Sequence, residues 1–203
     1  TIRLLLFLFL AMMVFNQHPL TPIMIVLIAL LNDVPIMMIA YDKMPSAQRP
    51  TAWNMKEIFT IAIGLGTIGV CSTFGLYWIA ETVWQLTPSQ CKTLAFMKIL
   101  CAGNLTIYLT RNEGMFWDKP LPEKKFLIST TIPLIIGTII SVYGLGIPDF
   151  IGIGWYYVWA SWVYIIVWFI ISFLGKLLLY KILNIEREKY TLSTEPQARI
   201  GSF

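Results

Sequence analysis

No charged residue interrupts the chain between residues 153 and 175, and residues 126–144 are equally free of charge. That feature restricts the possible folds more than any other. A helix needs about 20 mostly apolar residues to cross the hydrocarbon core of a bilayer. Within that core only helices and closed barrels satisfy every backbone polar group. Six such runs are read here, at 2–15, 22–41, 58–80, 93–110, 126–144 and 153–180. Composition agrees: 57% of the residues are hydrophobic and 13% charged, where a soluble domain carries about 25% charged. The expected fold class is all-α, a polytopic transmembrane bundle of six membrane-spanning helices. The first is short, and the chain opens at Thr1 already inside an apolar run, with no charged lead-in or small-residue cleavage site. It therefore reads as a truncated first helix in a piece of something longer, not as a signal peptide.

The net charge of +4 does not form one basic patch, so no nucleic-acid partner is expected. It follows topology instead. Connections 16–21, 81–92 and 145–152 hold one basic residue, Lys92. Connections 42–57 and 111–125 and the segment 181–203 hold Lys43, Arg49, Lys56, Arg111, Lys119, Lys124, Lys125, Lys181, Arg187, Lys189 and Arg199. The positive-inside rule puts this second set, with the C-terminal tail 181–203, in the cytoplasm. The tail turns polar after Tyr190. Trp78, Trp84, Trp117 and Trp155 fall near predicted interfaces, where amphipathic rings are favoured. Trp159, Trp162 and Trp168 are expected to pack, and Lys176 to snorkel to the headgroups.

Two motifs carry less than they suggest. Gly64-Leu-Gly66-Thr-Ile-Gly69 spells the dinucleotide fingerprint, but that fingerprint needs a preceding strand, and this copy lies inside an apolar span. Small residues that let helices approach closely explain it better. Cys71, Cys91 and Cys101 lack metal-ligand spacing; Cys71 and Cys101 are expected as buried free thiols, with no metal site.

The informative stretch is IALLNDVPIMMI, residues 28–39. His18 lies in the turn between the first two spans and reads as a solvated turn residue. Arg3 precedes it by 15 residues and Asp33 follows it by 15. At 1.5 Å per residue both lie roughly 20 Å in from that turn, and helices joined so tightly are expected to be neighbours. A charge at mid-membrane costs about 2.5–3.5 kcal/mol on insertion scales and marks a functional site by default; a static ion pair between two helices is the plainer alternative. Asn32 adds an amide beside Asp33. Pro35 has no N–H for the Leu31 carbonyl and disturbs that turn, so an opened turn is expected. Carboxylate, amide and freed carbonyl together suit a cation. Lys98 stands about six residues into its span, either snorkelling outward or held in a deeper ion pair.

LND, then IM, then YDKMPSAQRPTAWNMKEIF resembles the sixth helix and following loop of P-type ATPases of the plasma-membrane proton-pump class. TIRLLLF is similar to the fifth helix of that class, NLTIYLTRNEGMFWDKP to the end of its eighth, and IGIGWYYVWASWVY to its tenth. The likeness covers nearly all of residues 1–190. It implies that Asp33 binds and releases the transported proton, that Arg3 is a positive counter-charge, and that Leu31, Asn32 and Pro35 support the site. It also implies a multi-pass plasma-membrane pump whose cytoplasmic domains and first four helices are its missing partners, with ATP and Mg2+ as cofactors of the complete protein. Residues 1–203 contain no DKTGT or TGES motif, so no cofactor and no ATP hydrolysis are expected of them alone. Val34-Pro35 departs from the Gly-Thr common in plant and fungal pumps. Another transported cation, a secondary transporter, and a non-transporting anchor or assembly subunit are the rival readings.

Overall fold

The computed structural model describes residues 2–16, 18–41, 55–111, 123–147 and 149–194. Trp117, most of the connections 42–57 and 111–125, and the last nine residues lie outside them. Six helices follow one another: α1 (Ile2–Phe15), α2 (Pro22–Met38), α3 (Met55–Thr82), α4 (Pro88–Arg111), α5 (Lys124–Tyr143) and α6 (Gly154–Thr194). Among the described residues, four helices have the length and apolarity to cross a membrane, while Arg3–Phe15 and Pro22–Met38 are apolar but shorter.

Local chemistry sets several of the ends. Thr21 caps α2, its Oγ1 accepting from the Met24 N–H at 3.4 Å, and Pro22 opens the helix where no N–H is required. α5 stops at Gly144, whose φ of +73° favours glycine. There the chain forms a feature the all-α expectation did not contain, a two-stranded antiparallel ribbon of β1 (Gly144–Ile147) and β2 (Phe150–Ile151). α6 also outruns its expected end at residue 180. At 1.5 Å per residue its 41 residues extend about 60 Å, twice the hydrocarbon thickness. Between Lys176 and Thr194 there is no glycine or proline to stop it.

α4 occupies the centre, packed against α2, α3, α5 and α6. Leu94, Phe96, Met97, Leu100 and Cys101 are all buried, and so are the polar Thr93, Lys98 and Asn104. α6 is the opposite, with Trp159, Val163, Ile166, Ile170 and Leu174 turned outward. In lipid the apolar stripe can face out and the polar side chains gather inside. Trp159 is thus turned outward, not packed as expected. Cys71 is exposed on α3, against the expectation of a buried thiol, whereas Cys91 and Cys101 are buried. Lys176 does not snorkel: it is 1% exposed, with Nζ 5.7 Å from the centre of the Tyr180 ring.

Contacts gather the three short connections at one end of the bundle. Thr93 Oγ1 donates to the Ile151 carbonyl at 2.9 Å. Asp149 accepts from Ser89 and pairs with Lys92 at 3.2 Å. Trp84 meets Tyr157, and Phe15 at the end of α1 meets Phe74 and Tyr77.

Candidate functional site

Arg3 sits in the first turn of α1 and reaches across to α4, where its Nη2 donates to the Ile99 carbonyl at 3.0 Å. The path runs over Gly69 of α3, and a Cβ at that position would collide with the Arg3 side chain. The third glycine of the fingerprint-like motif therefore makes room for a guanidinium. Gly64 similarly gives room to Leu179 of α6, while Gly66 faces open space. Close approach between helices explains the first and last of the three.

Lys98, one residue before Ile99, is 3% exposed. It does not snorkel, and among the described residues it meets no carboxylate. Its Nζ stands 5.5 Å from the centre of the Tyr164 ring of α6, a cation–π arrangement. The Tyr164 hydroxyl donates to the Ser72 carbonyl at 2.9 Å. Arg3, Gly69, Ser72, Lys98 and Ser172 contribute to the lining of a cavity of about 30 Å³ among α1, α3, α4 and α6, walled elsewhere by Leu65, Leu105, Ile165 and Trp168. That volume accommodates about two waters.

Asp33 lies on α2 and is exposed. It shares the outward stripe of Val26, Leu30, Val34 and Met37. Asn32 beside it turns inward, its Oδ1 accepting from Nδ2 of Asn104 at 3.0 Å. Asn104 also donates to the Leu100 carbonyl at 3.1 Å, while its own Oδ1 is buried without a partner. Gly103 leaves space for Asn32 against α4. Pro35 is buried, yet α2 runs unbroken through it to Met38 before a 3-10 turn at Ile39–Tyr41. The opened turn expected around Leu31 is therefore not present: the helix tolerates one missing N–H without losing its course.

Arg3 and Asp33 are not brought together. The short turn does not make α1 and α2 a packed pair; α1 lies against α3, and α2 against α4 and α5. Ile99, which receives Arg3, and Asn104, which receives Asn32, are five residues apart on α4. That separation is about 7.5 Å of rise and about 140° of rotation. Arg3 and Asn32 therefore approach α4 from different sides and at different heights. His18 is exposed, as a turn residue should be.

Asn104, Ser72 and Tyr164 were not singled out from sequence. Asn104 was open to the same reasoning as Asp33, being an amide in the middle of an apolar run. Ser72 and Tyr164 give no such signal, since both types are common in membrane helices.

No family model matches the chain. Similar proteins are found directly. A protein named as a cation-transporting ATPase of Methanocaldococcus jannaschii is 37% identical over 186 residues, 92% of this chain and 23% of that protein. A plasma membrane ATPase named in Dictyostelium discoideum is 26% identical, covering 71% of this chain and 16% of its own length. Proton ATPase 1A of Leishmania donovani is 28% identical, covering 81% and 20%. The chain thus spans less than a quarter of the length of these curated relatives. Helical, apolar and similar along most of its length to such pumps, the chain belongs to the P-type ATPases and corresponds to part of their membrane region.

Proposed function

We propose that this is the membrane portion of a proton-exporting pump, in which Asp33 takes up and releases the transported proton and Arg3 is the fixed counter-charge. The observation that carries the reading is the carboxylate itself: Asp33 is the only acidic residue deep within any apolar run. One acid accompanied by two cations, Arg3 and Lys98, suits a proton better than a divalent ion. An apolar setting favours the protonated carboxyl and an approaching cation favours the carboxylate. Alternation between those settings is a pump cycle. Asn32, the Leu31 carbonyl and Pro35 support the site on α2, and the Asn32–Asn104 bond anchors that helix to α4.

A carboxylate on a lipid-facing stripe would be costly. The exposed face of α1 and α2 is accordingly the surface on which the remaining membrane helices of the pump pack, and Asp33 works at that junction. Export against the membrane potential requires about 2.3 kcal/mol per charge per 100 mV. Hydrolysis of ATP, bound with Mg2+ by cytoplasmic domains of the complete protein, would supply that energy, with α1 as the coupling element. The basic connections and the C-terminal end of α6 lie on the cytoplasmic side of the plasma membrane.

A second reading, another transported cation, is favoured by the broader name of the 37%-identical relative. Ion replacement in sealed vesicles holding the full-length protein separates the two. Proton export predicts ATP-driven acidification of the lumen when sodium, potassium and calcium are all absent. Acidification that requires one of those ions overturns it.

A further inference from the structure

Arg3 and Lys98 stand together in the interior, and among the described residues no acid balances them. Arg3 spends one donor on the Ile99 carbonyl, and Lys98 has the Tyr164 ring. Among the described residues neither has a carboxylate within ion-pair distance. A ring face and one carbonyl offset little of the desolvation of two cations at mid-membrane. Both cations line the same small cavity.

Ser72 supplies the independent sign. Hydroxyls in these helices habitually donate to the carbonyl four residues back, as Thr67, Thr73, Thr106, Thr138, Ser141 and Ser161 all do. Ser72 is 2% exposed, and its Oγ has no partner at all. It too lines the cavity, while its carbonyl is taken by Tyr164. A buried hydroxyl left without an acceptor loses about 1–3 kcal/mol unless a ligand takes the bond.

We infer that the space between Arg3, Lys98 and Ser72 is a binding site for one small monovalent anion of the halide class. Two cations exclude a metal ion or hydronium. Arg3, Ser72 and Lys98 come from three helices of this chain, α1, α3 and α4, and the space they line, about 30 Å³, is of the size of one small ion. Guanidinium, ammonium and hydroxyl each donate to a central anion, which neutralises one of the two charges and holds Arg3 turned toward α4. The inference stands whether or not Asp33 carries the proton.

The test uses full-length protein purified in detergent, with thermal unfolding followed in sodium chloride, sodium bromide and sodium gluconate at one ionic strength. Chloride and bromide should raise the unfolding temperature over gluconate in a saturable way. Lys98→Gln should remove that difference, and Asp33→Asn should retain it, which separates this site from the proton site. If Lys98→Gln does not fold, Ser72→Ala replaces it and should raise the half-saturating bromide concentration several-fold. Crystals soaked in bromide should show anomalous density beside the Lys98 Nζ. Equal stability in the three salts, or density there with no anomalous signal, overturns the proposal.

Discussion

Arg3 reaches the Ile99 carbonyl only because position 69 has no side chain. Valine there would occupy the volume of the arginine's own methylenes, and overpacking of that kind costs about 1–3 kcal/mol. Gly69→Val in the full-length protein is therefore expected to lose about that much stability in a denaturant titration, with Arg3 driven off α4. Stability equal to wild type would mean that Arg3 has room to spare. At this scale the sequence was half legible. The glycine triplet announced close helix approach, but spacing within one helix cannot say which side chain of another helix fills the gap. Asp33 and Asn32 are visible because a polar group in an apolar run stands out; Asn104, the partner of Asn32, obeys the same rule.

The ribbon between α5 and α6 is tied to the start of α4 by Asp149, which the hydrogen bond from Lys92, with a further one from Ser89, holds below its ordinary value of 3.8. A depressed carboxyl contributes stability above its ordinary value and loses it as pH falls through the lowered one. The ribbon should remain anchored at pH 5 and loosen below about pH 4, read as faster hydrogen exchange at residues 144–151 relative to the unfolded rate. Lys92→Gln should flatten that dependence; an unchanged profile in the variant would remove the pair from the account. The helices themselves were legible from apolar run length to within a few residues for α1 and α2, and α5 began and ended close to expectation. Three things were not. Hydropathy does not register a helix that continues out of the membrane, which hid the last turns of α6. It does not register a four-residue strand. Nor does a short turn dictate that its two helices pack along their length: α1 lies against α3, and α2 against α4 and α5.

At the scale of the molecule, the outward faces of α1 and α2 differ in one respect from that of α6. Both are apolar, but among the described side chains only the former includes a carboxylate, Asp33. Nitroxide labels at Val26 and Ile166, which are 67% and 51% exposed here, should behave differently in the complete pump in liposomes. The label at 166 should collide freely with dissolved oxygen from the lipid, and the label at 26 should be shielded by other helices of the protein. Equal oxygen accessibility would leave Asp33 in lipid and remove its place at a helix junction. The central claim is narrower still, that one carboxyl group carries the transported charge. Its most direct measurement is ATP-driven acidification of sealed vesicles containing full-length Asp33→Asn, compared with wild type at matched protein amount. Acidification should be absent in the variant; acidification at the wild-type rate would contradict the role assigned to Asp33.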